Sequence, residues 1–227
     1  MTAADVRNAI MDATYQALCE RGYTDLTTQD IADRTDRSKS LLFYHYDSKE
    51  DIVVDFLEYL LEQFDERAAG FDDRPPIERL ATFLDWYLYG SDEDDRRSFH
   101  AAMLELRTQA PYNSRYREQL RKIDDRLRST LEDILNAGVD DGQFVDHDSE
   151  ETAALLIAAI DGARVRQLTL DRGDYLDAVR SATIARIIDE LLVDGVSFPT
   201  ERPPNDGPSF RDAVDPIGSD VDDSTGP

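Results

Sequence analysis

A short stretch near the N-terminus concentrates side chains that proteins use to hold nucleic acid. Only three of the 25 basic residues are lysines, and two of them, Lys39 and Lys49, lie in this stretch. Ser38 and Ser40 flank Lys39. Ammonium and hydroxyl groups donate hydrogen bonds to phosphate oxygens and to acceptors on base edges. The chemistry indicated is therefore binding to DNA rather than conversion of a substrate.

The elements around these residues are short helices separated by a tight turn. Thr27 with Asp30 has the spacing of a capping box and predicts a helix to about Arg34. Ser38 begins the next helix, and Ser48 with Asp51 begins a longer one. This layout is typical of a helix-turn-helix, whose second helix enters the major groove.

The same stretch resembles the N-terminal DNA-binding domain of TetR-family transcriptional regulators. The shared pattern is T-T-x-x-I-A from Thr27, then S-K-x-x-L-(aromatic)-Y-H-(aromatic)-x-S-K-E from Ser38. The resemblance implies a DNA unit of three helices, a linking fourth helix, and a bundle that binds a ligand and dimerises. Four residues depart from those common in relatives, namely Asp36, Arg37, Ser40 and Leu41, so the base sequence that is read does not carry over.

The candidate DNA contacts extend from the start of the second helix to the start of the fourth. They are Thr27, Thr28, Gln29, Arg37, Ser38, Lys39, Ser40, Leu41, Tyr44, His45 and Lys49. The N-terminal end of a recognition helix lies against base edges, where Leu41 offers apolar contact to a thymine methyl. By resemblance, Tyr44 and Lys49 contact phosphate. For His45, the alternative to a DNA contact is a structural role. We expect Leu42 and Phe43 to pack in the core.

Periodicity over the remaining chain predicts an all-α protein of roughly nine helices with no β-rich run. We expect a helix-turn-helix domain over 1–50 and a helical effector-binding and dimerisation domain over 51–196. Residues 197–227 are rich in Pro, Gly, Ser and Asp and predict a disordered acidic tail. Among the local signals, Gly22 and Gly138 are expected to end helices, and Asp148 with Glu151 to begin one.

Aromatic residues in the predicted bundle are candidates for an effector pocket between helices. They are Phe83, Trp86, Tyr87, Phe99, Met103, Tyr112 and Tyr116. The alternative is plain core packing. By resemblance, a small apolar effector would bind there and change the separation of two DNA units.

Two late helices carry small residues on one face and predict a homodimer. The helices lie near 150–171 and 175–193, and the small residues are Ala154, Ala158, Gly162, Ala182 and Ala185. Such a face permits close packing between subunits. A two-fold dimer would match a palindromic operator in double-stranded DNA.

The chain is strongly acidic, with 49 acidic against 25 basic residues and a net charge of −24. Of the acids 35 are Asp, and residues 1–50 carry only −3 of the total charge. We interpret this as adaptation of a halophilic organism's protein to a cytoplasm at molar salt, where charge repulsion is screened. An ordinary acidic protein is the alternative.

The sequence lacks the signatures of several other classes of protein. No His has Glu three positions before it, as a di-iron bundle requires, and neither HExxH nor GxSxG occurs. The acidic cluster around His147 fits a solvated loop with a helix cap better than a cation site. We therefore expect no enzymatic activity, no cofactor and no metal.

Without a signal peptide or a stretch long enough to cross a membrane, we expect a cytoplasmic protein. The remaining alternative is a helical dimeric interaction protein that has lost DNA binding.

Overall fold

The computed structural model describes residues 3–35, 39–69, 74–89 and 93–199. The helices in these ranges are α1 (Ala3–Arg21), α2 (Thr28–Arg34), α3 (Lys39–His45), α4 (Lys49–Ala69), α5 (Pro76–Tyr89), α6 (Glu93–Gln109), α7 (Ser114–Asp140), α8 (Ser149–Leu170) and α9 (Tyr175–Thr183). A π-helical turn, Ile184–Ile188, continues α9 into the short α10 (Asp189–Leu191). The all-α prediction is confirmed. None of the described helices is long and apolar enough to cross a membrane.

Side chains close to the helix ends explain where several helices begin. The Thr27 hydroxyl accepts from the Asp30 N–H at 3.1 Å, and the Asp30 carboxylate accepts from the Thr27 N–H at 3.0 Å. Ahead of α8, Asp148 accepts from the Glu151 N–H at 2.9 Å. Ahead of α4, the Ser48 hydroxyl accepts from the Asp51 N–H at 3.2 Å. All three predicted caps are thus confirmed. They could be predicted because a cap uses residues only three positions apart.

The sequence pattern predicts a helix from Tyr112 to Ala137, and α7 differs from these bounds at both ends. It begins after Asn113, whose side-chain oxygen accepts from the N–H groups of Arg115 and Tyr116 at 3.0 and 3.2 Å. The sequence predicts that Gly138 ends this helix, but Gly138 lies inside α7. The ring of Phe144 folds back against Gly138, and a Cβ added there would lie 2.1 Å from the ring. A glycine is therefore required at position 138 because the Phe144 ring lies close to the backbone, and not because the chain changes direction there.

The first of two cores holds the N-terminal helices together. It contains Ile10, Met11, Leu18, Ile31, Leu42, Ile52, Phe56, Leu57, Leu106 and Tyr116, among others. Leu106 belongs to α6 and Tyr116 to α7, so helices that follow the N-terminal unit complete this core. The apolar packing around the N-terminal unit consequently continues well beyond residue 50.

The second core lies among α5, α7, α8 and α9. Its buried residues include Leu80, Leu84, Leu131, Leu135, Phe144, Leu156, Ile160 and Phe198. A bidentate ion pair joins α5 to α9, with Asp85 accepting from Arg180 Nε at 2.6 Å and Nη2 at 2.9 Å. Phe198 is buried, so packing continues into the first residues of the predicted tail. Residues 200–227 of that tail lie outside the described residues.

Candidate nucleic-acid interface and effector cavity

Helices α2 and α3 are attached to α1 by a few fully buried side chains. Ile31, Ala32 and Leu42 are each 0% exposed. Leu42 was predicted in the core and is found there. The prediction for Phe43 is wrong, because Phe43 is 51% exposed. One position along a helix turns a side chain by about 100°, so Leu42 lies on the inward face and the adjacent Phe43 does not.

The C-terminal end of α3 presents rings to solvent. Tyr44 is 81% exposed, and its ring lies edge-on to that of His45 with centroids 5.2 Å apart. Both residues were predicted DNA contacts, and both are accessible for that role. The backbone of Lys39, Ser40 and Leu41 forms the start of α3, while their side chains, together with Arg37 and Ser38, lie outside the described part of the chain.

The residues predicted to contact DNA from α2 already have hydrogen bonds within the chain. The Thr27 hydroxyl pairs with Asp30 in the cap, and Gln29 Nε2 donates to Asp33 Oδ1 at 2.8 Å. Thr28 is the first helical residue and is partly buried. These residues fix the start of α2, and the position of α2 in turn sets the position of α3.

Lys49, a predicted phosphate contact, lies at the start of α4 against the turn that follows α1. Its ammonium donates to the Tyr23 carbonyl oxygen at 3.1 Å and lies 4.5 Å from the centroid of the Tyr23 ring. Partial burial lowers the pKa of Lys49. An ammonium has three donors, so the bond to Tyr23 leaves two for a phosphate.

We expect Lys49→Gln to have two separate effects. The loss of the Tyr23 contacts should lower the free energy of unfolding by about 1 kcal/mol. The loss of one phosphate contact should weaken binding to all DNA sequences and reduce the slope of log affinity against log salt by about 1. Chemical denaturation and DNA titrations over a salt series measure the two effects.

Lys122→Gln is the matched control, since Lys122 is exposed on α7 and pairs only weakly with Glu118 at 3.5 Å. We expect it to change neither quantity. An unchanged salt slope in Lys49→Gln would show that Lys49 serves only the fold.

Contacts that the sequence did not indicate connect the turn after α1 to α6 and α7. The Thr24 N–H donates to Glu105 Oε2 at 2.8 Å. The hydroxyl groups of Tyr23 and Tyr116 lie 3.2 Å apart. Gly22 closes α1 with φ +71°, and a Cβ there would lie 2.9 Å from Glu105. The segment that leads into the helix-turn-helix is thus held directly by the bundle.

The seven residues of the predicted effector pocket do not meet in one place. Phe99, Met103 and Tyr116 pack in or against the first core, whereas Tyr87 is buried in the second. Tyr112 lies in the turn before α7 and is 90% exposed, so it lines no cavity formed by the residues that the structure describes.

Phe83 and Trp86 do line a cavity, which lies between α4, α5 and α7. Its volume is about 30 Å³, and its walls are Phe64, Arg67, Ala68, Arg79, Thr82, Phe83, Trp86, Thr130 and Ile134. The Trp86 ring stacks at a tilt with Phe64, at 5.3 Å between centroids. This cavity, with its aromatic walls, is a place among the described residues of the bundle where a small molecule could enter.

A polar cluster lies beside this region and joins α5, α6 and α8. Asp161 Oδ1 accepts from the Tyr87 hydroxyl at 2.8 Å, and Oδ2 accepts from Arg107 Nη1 at 2.8 Å. Burial, with the nearby Asp161 carboxylate, raises the pKa of the Tyr87 hydroxyl to about 12. Tyr87 therefore stays protonated and serves as a donor that orients Asp161.

Comparison with known proteins identifies the family. Residues 10–56 match the family described as bacterial regulatory proteins, tetR family, and residues 76–193 match the C-terminal region of BetI-type transcriptional repressors. The repressor KstR2 of Rhodococcus jostii is 28% identical over 146 residues, which are 61% of this chain and 67% of that protein.

Two solved structures extend the similarity over most of the chain. A TetR transcription regulator from Haloarcula marismortui is 37% identical, with a TM-score of 0.75, over 84% of this chain and 100% of that one. A transcriptional regulator from Saccharomonospora viridis in complex with choline is 26% identical, with a TM-score of 0.71, over 84% of this chain and 99% of that one.

A helix-turn-helix followed by a helical bundle defines a class of DNA-binding transcriptional regulators. The chain belongs to the TetR family of these regulators. Members of this family bind DNA and act as dimers; they are regulators and not enzymes. The curated relatives that match this chain include repressors, which fits the predicted regulatory role.

Proposed function

We propose that the protein is a dimeric repressor in the cytoplasm that binds a palindromic operator and releases it when a small apolar effector enters the bundle. Residues 1–50 would bind DNA, and residues 51–196 would bind the effector and form the dimer. The observation that carries the proposal is the outer face of α3, where Tyr44 is 81% exposed while Leu42 is fully buried. Such a face is free to enter a major groove.

The recognition residues of the proposal are those predicted from the sequence. Lys39, Ser40 and Leu41 at the start of α3 would contact base edges, with Arg37 and Ser38 just ahead of it. Tyr44, His45 and Lys49 would contact phosphate, and Thr27, Thr28 and Gln29 would position α2 along the flanking backbone.

The surface of α8 supports the dimer. Ala154, Ala158 and Gly162 are all exposed at intervals of four residues. Leu155 and Val165 beside them are 55% and 41% exposed. Ala182 and Ala185, which follow on α9 and the π-helical turn, are exposed too. Apolar residues with small neighbours on one helix face allow the same face of a second chain to pack closely against it.

The cavity supports a small effector. Its aromatic walls come from α4 and α5, and α4 also begins at the helix-turn-helix. The Saccharomonospora viridis regulator, whose structure contains choline, shows that a related protein holds a small molecule. Release requires that the effector bind the form with low DNA affinity more tightly than the other.

We also propose that the protein works at molar salt. The net charge of −24 supports this, as does 37% identity to the Haloarcula marismortui regulator. Electrostatic attraction to phosphate is weak under these conditions, so hydrogen bonds and apolar contacts must supply more of the affinity.

Selection of binding sites from random duplex DNA, with the full chain in molar KCl, tests the proposed function. Enrichment of an inverted repeat is the expected result, and a Lys39→Ala, Tyr44→Ala variant should lose it. A Lys122→Ala variant, altered on α7, should retain it. No enrichment by a folded dimer would favour the interaction protein that has lost DNA binding.

A further inference from the structure

A tyrosine directly after α3 attaches the end of that helix to α4. The Tyr46 N–H donates to the Leu42 carbonyl oxygen at 3.0 Å, so Tyr46 continues the helical turn. Its ring is partly buried against the first core, and its hydroxyl donates to Asp55 Oδ2 on α4. Tyr46 and Leu42 are four positions apart and therefore lie on the same, inward side of α3.

The carboxylate of Asp55 also accepts a hydrogen bond from α1. Arg7 Nε donates to Asp55 Oδ1 at 2.9 Å, and Arg7 Nη1 donates to Glu62 Oε2 at 2.6 Å. Asp55 and Glu62 are seven positions apart, about two turns of α4, so both lie on the side of α4 that faces α1. The side chain of Asp55 is 23% exposed. One partly buried carboxylate therefore joins α1, α4 and the end of α3.

The surroundings keep Tyr46 and Arg7 in the protonation states that these hydrogen bonds need. Burial, together with the hydrogen bond to Asp55, raises the pKa of the Tyr46 hydroxyl. The hydrogen bond to Glu62 raises the pKa of Arg7. Tyr46 therefore remains a donor and Arg7 a cation at any pH at which DNA binding is measured.

Helix α3 depends on contacts with its neighbours for its orientation. It has seven residues, which is too short for a helix that is stable by itself. Leu42 holds its inward side by apolar packing, which has no preferred direction, whereas a hydrogen bond also restricts angles. The Tyr46 hydroxyl therefore limits rotation of α3, and such a rotation would displace the outer side, where Tyr44 is 81% exposed.

We propose that Tyr46 is a positioning residue for sequence recognition, and that its hydroxyl, through Asp55, fixes the angle at which α3 enters the major groove. This rests on the proposed function and extends it from the residues that contact DNA to one that does not. Hydrogen bonds to base edges need an accurately oriented helix, whereas phosphate contacts are available on any duplex. Loss of the hydroxyl therefore lowers affinity for the operator and leaves affinity for other DNA unchanged.

Tyr46→Phe removes the hydroxyl and keeps the ring that packs on the first core. We expect its affinity for the selected operator to fall about fivefold, with unchanged affinity for a duplex of random sequence. The slope of log affinity against log salt should also stay the same, because no phosphate contact is lost. Titrations of labelled duplexes over a KCl series, with the full-length protein, measure all three quantities.

Tyr112→Phe is the matched control, since it removes a hydroxyl from a tyrosine that is 90% exposed in the turn before α7. It should bind both duplexes as the unaltered protein does. An unchanged operator preference in Tyr46→Phe would overturn the proposal. Equal losses of affinity for the operator and for random DNA would also overturn it, because they would mean that the fold has loosened generally.

A second substitution tests whether Tyr46 acts through the carboxylate. Asp55→Ala removes the acceptor, so adding Tyr46→Phe to it should cost no further operator affinity. The same fivefold loss in both backgrounds would contradict a role through Asp55.

Amide hydrogen exchange gives a readout that needs no DNA and only the conservative Tyr46→Phe variant. The N–H groups of residues 42–46 should exchange about fivefold faster in this variant, because the end of α3 opens more often. Those of residues 52–57 on α4 should exchange at the rate of the unaltered protein. Unchanged exchange at residues 42–46 would show that the hydroxyl does not hold α3.

The failure of this inference is distinguishable from failure of the proposed function. An operator that Tyr46→Phe and the unaltered protein bind equally well would retain the regulator and reject only the role of Tyr46. No operator selected by the unaltered protein would reject the proposed function and, with it, the role in recognition.

Discussion

Replacing Gly162 with tryptophan is expected to convert the dimer to monomers and to lower operator affinity by a factor of at least about 100. Gly162 lies on the exposed face of α8 between Ala158 and Val165, and a Cβ added there meets no atom within 4 Å. A larger side chain at this exposed position therefore starts in open space in the isolated chain. It would prevent a second α8 from approaching, and each monomer would then bind only half of a palindrome.

Sedimentation measures the first effect and DNA titration the second. Arg121→Trp, the same side chain on an exposed position of α7, is the control and should remain dimeric with full affinity. A Gly162→Trp protein that stays dimeric would place the interface elsewhere on the surface. Helical content unchanged in circular dichroism would establish that the variant is folded.

Replacing Gly138 with alanine is expected to lower the free energy of unfolding by about 3 kcal/mol. The added methyl would occupy the space of the Phe144 ring, whose atoms lie 2.1 and 2.2 Å from the Cβ position. Phe144 is 2% exposed and cannot move without leaving the second core. The N–H groups of Gln143 and Phe144 both donate to the Gly138 carbonyl oxygen, at 2.8 and 3.0 Å, which holds the ring in place.

Denaturant unfolding at a fixed chain concentration measures this loss, because dimer stability depends on concentration. Asn136→Ala, an exposed position on the same helix, should change stability by less than about 0.5 kcal/mol. The double variant with Phe144→Ala should lose less than the sum of the two single variants, since the clash is then absent. Full additivity would contradict the proposed steric cause.

Local features of this fold were readable from the sequence. The caps at Thr27 and Asp148 depend on residues three positions along the chain, and such spacings can be recognised in the sequence alone. The inward position of Leu42 and the exposed small face of α8 follow from helical periodicity. The helix-turn-helix pattern was specific enough to indicate the family.

Features that depend on distant parts of the chain were not readable. The bond from Thr24 to Glu105 joins residues 81 positions apart, and no spacing rule indicates it. The aromatic residues of the predicted pocket are divided between two cores because α6 packs on α1 while α5 packs on α7. Glycine is a common residue at helix ends, but the role of Gly138 is set by the ring of Phe144.

Helix α4 carries both Lys49, which contacts the turn between α1 and α2, and Phe64, which lines the cavity. At a rise of 1.5 Å per residue these two positions are about 22 Å apart along one continuous helix. A rotation of α4 by about 5° around its cavity end would move the Lys49 end by about 2 Å. We therefore expect small rearrangements of the cavity walls to be magnified at the DNA-binding end of α4. A liganded structure should then differ from the unliganded one more at α2 and α3 than around the ligand.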